Sequence, residues 1–418
     1  MTSGARLTIL TALTLLTLPA RGADTLWGHW RPVTGNNIAP TGNYPLSWSP
    51  EKNVAWKIDL PDRGNSTPVV MGDKIYVTQA LTEGNKRGIM CFSTADGKKL
   101  WEQFVNVDAA GKTHETNPFC SPSPATADNI VVAWLGNAGV FAWTLEGKLL
   151  WKKDLGPVVH RLGYGSSPVI HNKTVYLNFG PGNRSFLVAL KLEDGEERWR
   201  IPIKVKNNRY EGGGSAGSYA TPVIAPIADD TYELITTFPN IVLSINPDTG
   251  KENWRATGLD DNMRASPSVS DDLVLALGGY KFESIAVRRG GQGDVTQSHR
   301  LWQLDKYYKA IGTPLIVGEH YYRVRRNFLH CHELKTGSEV WKHRFSMTTA
   351  WSSPTQVGNH IYLVDKAGIT TVFKHNPKTF EPVSTNETNG METNASLHFA
   401  NDAVYMRSYK QLWKFIKK

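Results

Sequence analysis

Seven tryptophans, Trp56, Trp101, Trp151, Trp199, Trp254, Trp302 and Trp341, recur at spacings of 45, 50, 48, 55, 48 and 39 residues. A period of this size points to a chain of like units rather than to one wound core. A second series keeps step with the first: Thr67-Pro68, Ser123-Pro124, Ser167-Pro168, Thr221-Pro222, Ser266-Pro267, Thr313-Pro314 and Ser353-Pro354 each open a short β-branched or apolar run. One unit shows the rest. After Ser167-Pro168-Val169-Ile170 come His171-Asn172-Lys173, the run Thr174 to Leu177, the run Phe186 to Leu190, Asp194-Gly195 and Arg198-Trp199. These are four strand-length runs separated by turn residues. The pairs Asp96-Gly97, Asp194-Gly195, Thr249-Gly250 and Thr336-Gly337 supply the positive φ that a tight hairpin between third and fourth strands needs.

A four-stranded antiparallel sheet of this size cannot bury both faces alone, whereas sheets stacked radially bury both and leave only short edges. The expectation is an all-β, eight-bladed β-propeller of four-stranded antiparallel blades. Seven fourth strands carry the tryptophan, and an eighth, degenerate copy lies around Phe380 to Val383. Seven first strands carry the Pro mark, and an eighth spans Ala395 to Phe399. The last unit holds three strands, so Asn53-Val54-Ala55-Trp56 is expected to complete it and close the ring. Seven blades is the alternative, if the degenerate copies fail to form sheets. The tryptophans then read as wedges between blades, each offering a large apolar area and one N–H donor.

Arg6, the apolar stretch Leu7 to Leu18 and the small residues Ala20, Gly22 and Ala23 make the three zones of a secretory signal. The division is residues 1–23 as signal peptide, 24–52 as an extended segment and 53–418 as propeller. Loss of Arg6 and Arg21, with no acid, lowers the net charge from +9 to +7. The cations are mixed with acids, without the basic stripe and interleaved aromatics of a nucleic-acid surface. No apolar run reaches the length of a membrane span, so none is expected in the mature chain, which is read as a monomer. The charge biases an exported protein toward anionic polymers or lipid headgroups. Cys91, Cys120 and Cys331 allow one internal disulfide at most, and without CxxC or HExxH spacing no metal site is expected.

The segment Ser244 to Trp254, together with Ala189 to Trp199 and Cys331 to Trp341, resembles the tryptophan-docking repeat of the pyrroloquinoline quinone (PQQ)-like propellers. In that repeat a small residue stands ten positions before the tryptophan, a place held here by Cys91, Ala189, Ser244 and Cys331. The resemblance covers about residues 53 to 415. Gly163 to Pro168, Gly180 to Ser185 and Gly293 to Thr296 are similar to a group of exported bacterial propellers. Relatives of two kinds follow from the resemblance: quinoprotein alcohol dehydrogenases and BamB-like periplasmic scaffolds. It implies an exported binding or scaffold protein, periplasmic or extracellular, with a protein or polysaccharide partner in the cell envelope. The alternative is a channel-site enzyme, quinone-dependent or carbohydrate-active. No cofactor is expected, PQQ with calcium belonging to that alternative; the vicinal cysteine pair found over the quinone in the dehydrogenases is missing, since no two cysteines are adjacent.

Function in a propeller concentrates where the loops leading into the first strands meet the central channel. Those loops carry Arg63 and Asn65; His114, Glu115 and Asn117; His160, Arg161 and Tyr164; Arg209 and Tyr210; Asp261, Asn262 and Arg264; Lys309; Trp351; and Glu392 and Asn394. His114 and Glu115 beside His160, Arg161 and Asp261 offer imidazole, carboxylate and guanidinium for acid or base work on a sugar or acid. The competing reading is a hydrogen-bonded rim. In His330-Cys331-His332 the period of two puts both imidazoles on one face and the thiol on the other, so the three do not converge on a metal. Cys91 and Cys331 read as small buried hydrophobes and Cys120, in a loop, as the reactive thiol. Gly212 to Gly217 and Gly290 to Gly293 lack the Lys-Ser/Thr of a phosphate loop and read as connectors.

Overall fold

The computed structural model describes residues 27–32, 35–203, 217–228, 230–279, 283–305, 311–345 and 348–418. Eight four-stranded antiparallel sheets follow one another: blades 1 (69–106), 2 (125–153), 3 (169–202), 4 (223–257), 5 (268–305), 6 (315–344), 7 (355–386) and 8 (398–416, completed by Val54–Asp59). The degenerate copies do form sheets, so there are eight blades and not seven. The closing strand pairs antiparallel with Gln411–Ile416, with Asp59 opposite Gln411 and Ile58 opposite Leu412. The apolar core is correspondingly divided into eight clusters, one in each gap between neighbouring blades.

The Ser/Thr-Pro series has a structural cause. Each of its hydroxyls accepts the backbone N–H of the equivalent residue in the preceding blade. Thr67 N–H donates to Ser123 (2.9 Å), Ser123 to Ser167 (3.0 Å), Ser167 to Thr221 (3.0 Å) and Thr221 to Ser266 (2.8 Å). Ser266 N–H continues to Thr313 (3.1 Å), Thr313 to Ser353 (3.0 Å), Ser353 to Ser396 (2.9 Å), and Ser396 back to Thr67 (3.0 Å). The eight bonds form a closed, buried circle at the tops of the innermost strands. Ser396, which lacks the following proline, is the eighth member. A buried amide with no partner is costly, and the circle leaves none of these eight orphaned.

The wedge tryptophans dock one blade onward. The indole N–H of Trp56 donates to Thr94 O, Trp101 to Leu145 O, Trp151 to Leu192 O, Trp199 to Pro247 O, Trp302 to Leu334 O and Trp341 to Asn376 O. At Gly97, whose φ is 74°, an added Cβ would stand 2.8 Å from the Trp56 ring, so the turn residue must be glycine for its backbone geometry and for the indole's approach. On the facing strand the wedge meets a small residue, as Cys91 pairs with Trp101, Ala189 with Trp199 and Cys331 with Trp341. Trp254 departs from the pattern. The third hairpin of blade 5 is lengthened by strand Gly293–Asp294, which pairs parallel with blade 4, and by helix Thr296–His299. Trp254 donates instead to Glu233 Oε2 (3.0 Å) of its own blade, and Arg289 Nε closes on Glu233 Oε1 at 2.7 Å.

The described residues of the segment 27–52 form no strand of their own, yet many of them are buried. From Gly28 to Ala39 it crosses the underside of the circle. Gly28 O accepts from Thr126 N (blade 2), His29 Nε2 from Ile170 N (blade 3), and Arg31 reaches Ser268 Oγ (blade 5). Asn36 exchanges two bonds with Ile316 of blade 6, and Asn37 donates to Pro354 O and Thr355 Oγ1 of blade 7. The segment therefore stoppers the channel at the end carrying the turns between first and second strands. Its continuation then mends a defect. Blade 7 has Ser384 where its neighbours have the wedge, and the Ser384 hydroxyl donates to Leu46 O. Trp48, 3% exposed, enters the gap between blades 7 and 8 and stacks on Phe415 (4.7 Å, 19°) and Tyr362 (6.4 Å, 9°).

Candidate functional site

With one end stoppered, the opposite mouth is where the lead-in loops gather, and they are bonded to one another. Asn65 Nδ2 (lead-in to blade 1) and Asn394 Nδ2 (lead-in to blade 8) both donate to Thr116 O in the loop entering blade 2. Asn117 Nδ2 carries the chain of bonds on to Leu162 O (2.6 Å) and Tyr164 O (3.1 Å) in the loop entering blade 3. His160 Nδ1 meets the Tyr219 hydroxyl at 2.9 Å, joining the loops of blades 3 and 4. Residues Gly217–Ser218 pair parallel with Asn262–Met263, joining the loops of blades 4 and 5. The result is a hydrogen-bonded collar from blade 8 round to blade 5.

Several of the polar residues expected to act at the mouth, Asn65, Asn117, His160 and Asn394 among them, are spent on this collar. His114 is exposed, and its Nδ1 sits 2.8 Å from Thr116 Oγ1 in its own loop. His160 is buried, and its Nδ1 also accepts from Leu162 N–H, so it is an anchoring imidazole. Tyr164 is buried and donates to Phe119 O while accepting from Arg87 Nη1; burial pushes its phenol up to about 12. Burial likewise raises the Tyr219 phenol, opposed by Arg264 and Arg161. Asn262 is buried and accepts from Arg264 Nε. The guanidinium of Arg63 lies over the Tyr409 ring at 4.0 Å, and Lys366 covers Trp351 at 4.3 Å. Glu115, Arg161 and Glu392 are exposed and Asp261 is half-buried. Arg209, Tyr210 and Lys309 lie outside the described residues.

The cysteine readings divide. Cys91 and Cys331 are buried opposite their tryptophans, where burial raises their thiols to about 12 and about 11. Cys120 is not the accessible thiol that its loop position suggests. It is 1% exposed beneath the mouth, donates to Arg63 O at 3.4 Å, and is raised by burial against the lowering field of Arg407. All three thiols are unpaired.

His330 and His332 do share a face, as the period of two requires, and the register adds a group that sequence reasoning missed. Glu339, opposite His332 on the next strand, accepts from His330 Nδ1 at 2.7 Å, so the three residues form a cluster of potential ligands. Arg323 Nε occupies His332 Nε2 at 3.1 Å, placing a fixed cation where an ion would bind. Among the described residues this cluster, out on blade 6, is the one grouping of three or more His, Cys, Asp or Glu ligands. The three thiols lie in separate places, and the Lys366 ammonium covers the Trp351 ring.

The buried guanidiniums were also missed. Arg407 (blade 8) donates to Ser66 Oγ (2.5 Å), Thr78 O (2.7 Å) and Gln79 Oε1 (2.8 Å), fastening blade 8 to blade 1 under the collar. An added Cβ on Gly64 would collide with this guanidinium, which explains the glycine. No periodic signal marks either residue.

Comparison with known proteins agrees with this architecture. The sequence profile of the family described as outer membrane protein assembly factor BamB matches residues 48–274 and 209–343. Outer membrane protein assembly factor BamB of Legionella pneumophila (strain Paris) is 24% identical over 156 residues, 36% of this chain and 35% of that one. A polyvinylalcohol dehydrogenase of Pseudomonas sp. is 23% identical over 275 residues, 56% of this chain and 41% of that one. The chain thus spans well under half the length of these curated relatives. Among solved structures, BamB from Moraxella catarrhalis superposes with a TM-score of 0.61 at 14% identity, covering 87% of this chain and 97% of that one. The quinohemoprotein alcohol dehydrogenase of Comamonas testosteroni gives 0.62 at 12%, covering 87% and 76%. At such identities the superpositions establish the fold alone. The eight closed blades, their docked tryptophans and the extent of the profile match place this chain in the family of PQQ-like propellers described as outer membrane protein assembly factor BamB.

Proposed function

We propose that this chain is an exported scaffold whose collar receives a protein or polymer partner of the cell envelope. The carrying observation is the collar itself: His160 and the amides of Asn65, Asn117 and Asn394 are bonded loop to loop rather than aimed at a common point, while Arg161, Glu115 and Glu392 stand exposed on its rim. A hydrogen-bonded rim with charged exposed residues suits recognition, because little conformational entropy is lost when a partner docks on it. The relatives named for outer membrane protein assembly support a partner in the envelope, and the leader-like residues 1–23 support export. Affinity capture from envelope extracts tests the reading with paired baits. Wild type is expected to retain a partner that Arg161→Glu with Glu392→Lys loses at unchanged melting temperature. A partner kept by the charge-reversed bait refutes the collar as its site. Turnover of alcohols or glycans by wild type, lost in His114→Ala, would instead establish a channel-site enzyme.

A further inference from the structure

A cleft of about 520 Å³ opens on the side of the molecule away from the mouth. Its walls are residues 41–47, Lys52 and Asn53 of the segment that follows the channel stopper, Val357 to His360 and Tyr362 of blade 7, and Lys417 and Lys418 after the third strand of blade 8. The charge in it is one-sided. Lys52, Lys417 and Lys418 line it and no Asp or Glu side chain does. Among the described residues none of the three belongs to an ion pair. Two of the ammoniums are held by neutral acceptors: Lys417 Nζ donates to Asn43 Oδ1 (3.2 Å) and Lys418 Nζ to Val54 O (2.7 Å). The carboxylate of Asp402 faces the neighbouring cavity, where it accepts from Asn43 N–H.

The three ammonium side chains repel one another, an effect only partly offset by the α-carboxylate on Lys418 itself, and an anion entering among them relieves that repulsion. The volume falls within the range of small-ligand pockets and is too small for a folded partner. The neutral lining narrows the ligand class. Asn43 and Asn359, both exposed, present amides that donate and accept, which suits the hydroxyls of a sugar. A bare phosphate ion has no use for such a wall.

We propose that this cleft binds an anionic saccharide, with Lys52, Lys417 and Lys418 taking its acidic group and the asparagines its hydroxyls. The site is separate from the collar, so its failure leaves the scaffold reading intact.

The test is calorimetric titration of the purified chain with trigalacturonic acid at low salt, with neutral galactotriose and inorganic phosphate as parallel arms. Lys52→Glu with Lys417→Glu reverses two exposed charges, and a melting curve confirms that the variant is folded. The expected result is binding of the acidic trimer, weakened about tenfold or more by the double reversal and by added salt, with no heat from the neutral trimer. Equal affinity in the variant, no binding by wild type, or phosphate binding as tightly as the trimer would each overturn the proposal.

Discussion

Replacing Trp48 with alanine tests whether a remote segment supplies the wedge that blade 7 lacks. The indole is 3% exposed and stacked between Tyr362 and Phe415, while the Trp48 N–H bond to Asn386 Oδ1 (2.9 Å) uses the main chain and survives the change. The loss is therefore that of a buried aromatic side chain, about 3–5 kcal/mol. For 418 residues the unfolding entropy near 60 °C is about 0.9 kcal/mol/K, so the midpoint is expected to fall by about 3–6 °C. Trp48→Phe keeps a stacking ring and is expected to lose less than half of this. Scanning calorimetry gives the shift, and limited proteolysis reports whether residues 27–52 have come loose. A fall of under about 1 °C, with the segment as resistant as before, would refute the idea that this indole replaces a wedge.

Further outcomes follow from other parts of the molecule. Ser396→Ala opens the hydroxyl circle and strands the buried Ser353 amide, costing about 1–3 kcal/mol in urea titrations, whereas Ser396→Thr is expected to be nearly neutral. Glu233→Ala leaves Arg289 enclosed without its carboxylate and Trp254 without its acceptor, for a loss of about 3–5 kcal/mol; an unchanged urea midpoint would contradict the pairing. Burial lowers His29 to about 4 and His398 and His332 to about 3, with His171 and Arg323 adding to the shifts of His29 and His332 respectively. The unfolded chain then binds protons that the folded one refuses. Stability is full above about pH 6.5 and declines as pH falls toward 3–4, by up to about 1.4 kcal/mol per pH unit for each histidine. Melting curves that are flat between pH 7 and 4.5 would dismiss these three residues as the cause. Finally, Cys120 is expected to ignore a thiol reagent in the native protein and to react on unfolding; rapid native labelling would show that the mouth opens.

The fold was legible because its two marks are periodic and physically obligatory. An indole wedge needs a small residue opposite and a glycine in the next turn, and each innermost strand needs a hydroxyl for its neighbour's amide. The hydroxyl recurs in every blade and the indole with its glycine in most of them, often enough to show in a single chain. The site was less legible for the opposite reason. His114 and His160 look alike in sequence, yet one is exposed and the other is locked by Tyr219, about sixty positions away in the chain. Glu339 joined His330 only through cross-strand register, and Arg407 reached Thr78 across the ring closure. The stopper at Gly28 to Ala39 and the surrogate wedge Trp48 stand outside the repeat and carry none of its marks.

The strand that closes the ring has a consequence for the order of folding. Within blades 1 to 7 every sheet is assembled from neighbouring hairpins, each of which can zip up as soon as its own few dozen residues are available. Blade 8 joins Val54–Asp59 to Gln411–Ile416 across a loop of more than three hundred residues, so its clasp pays an entropy that no local hairpin meets. Seven blades can form as an open crescent, with the last clasp as the slow, cooperative event. A crescent exposes the faces of blades 1 and 8 and the free edge of Val54–Asp59, making it the species most open to proteases and to pairing with a second crescent.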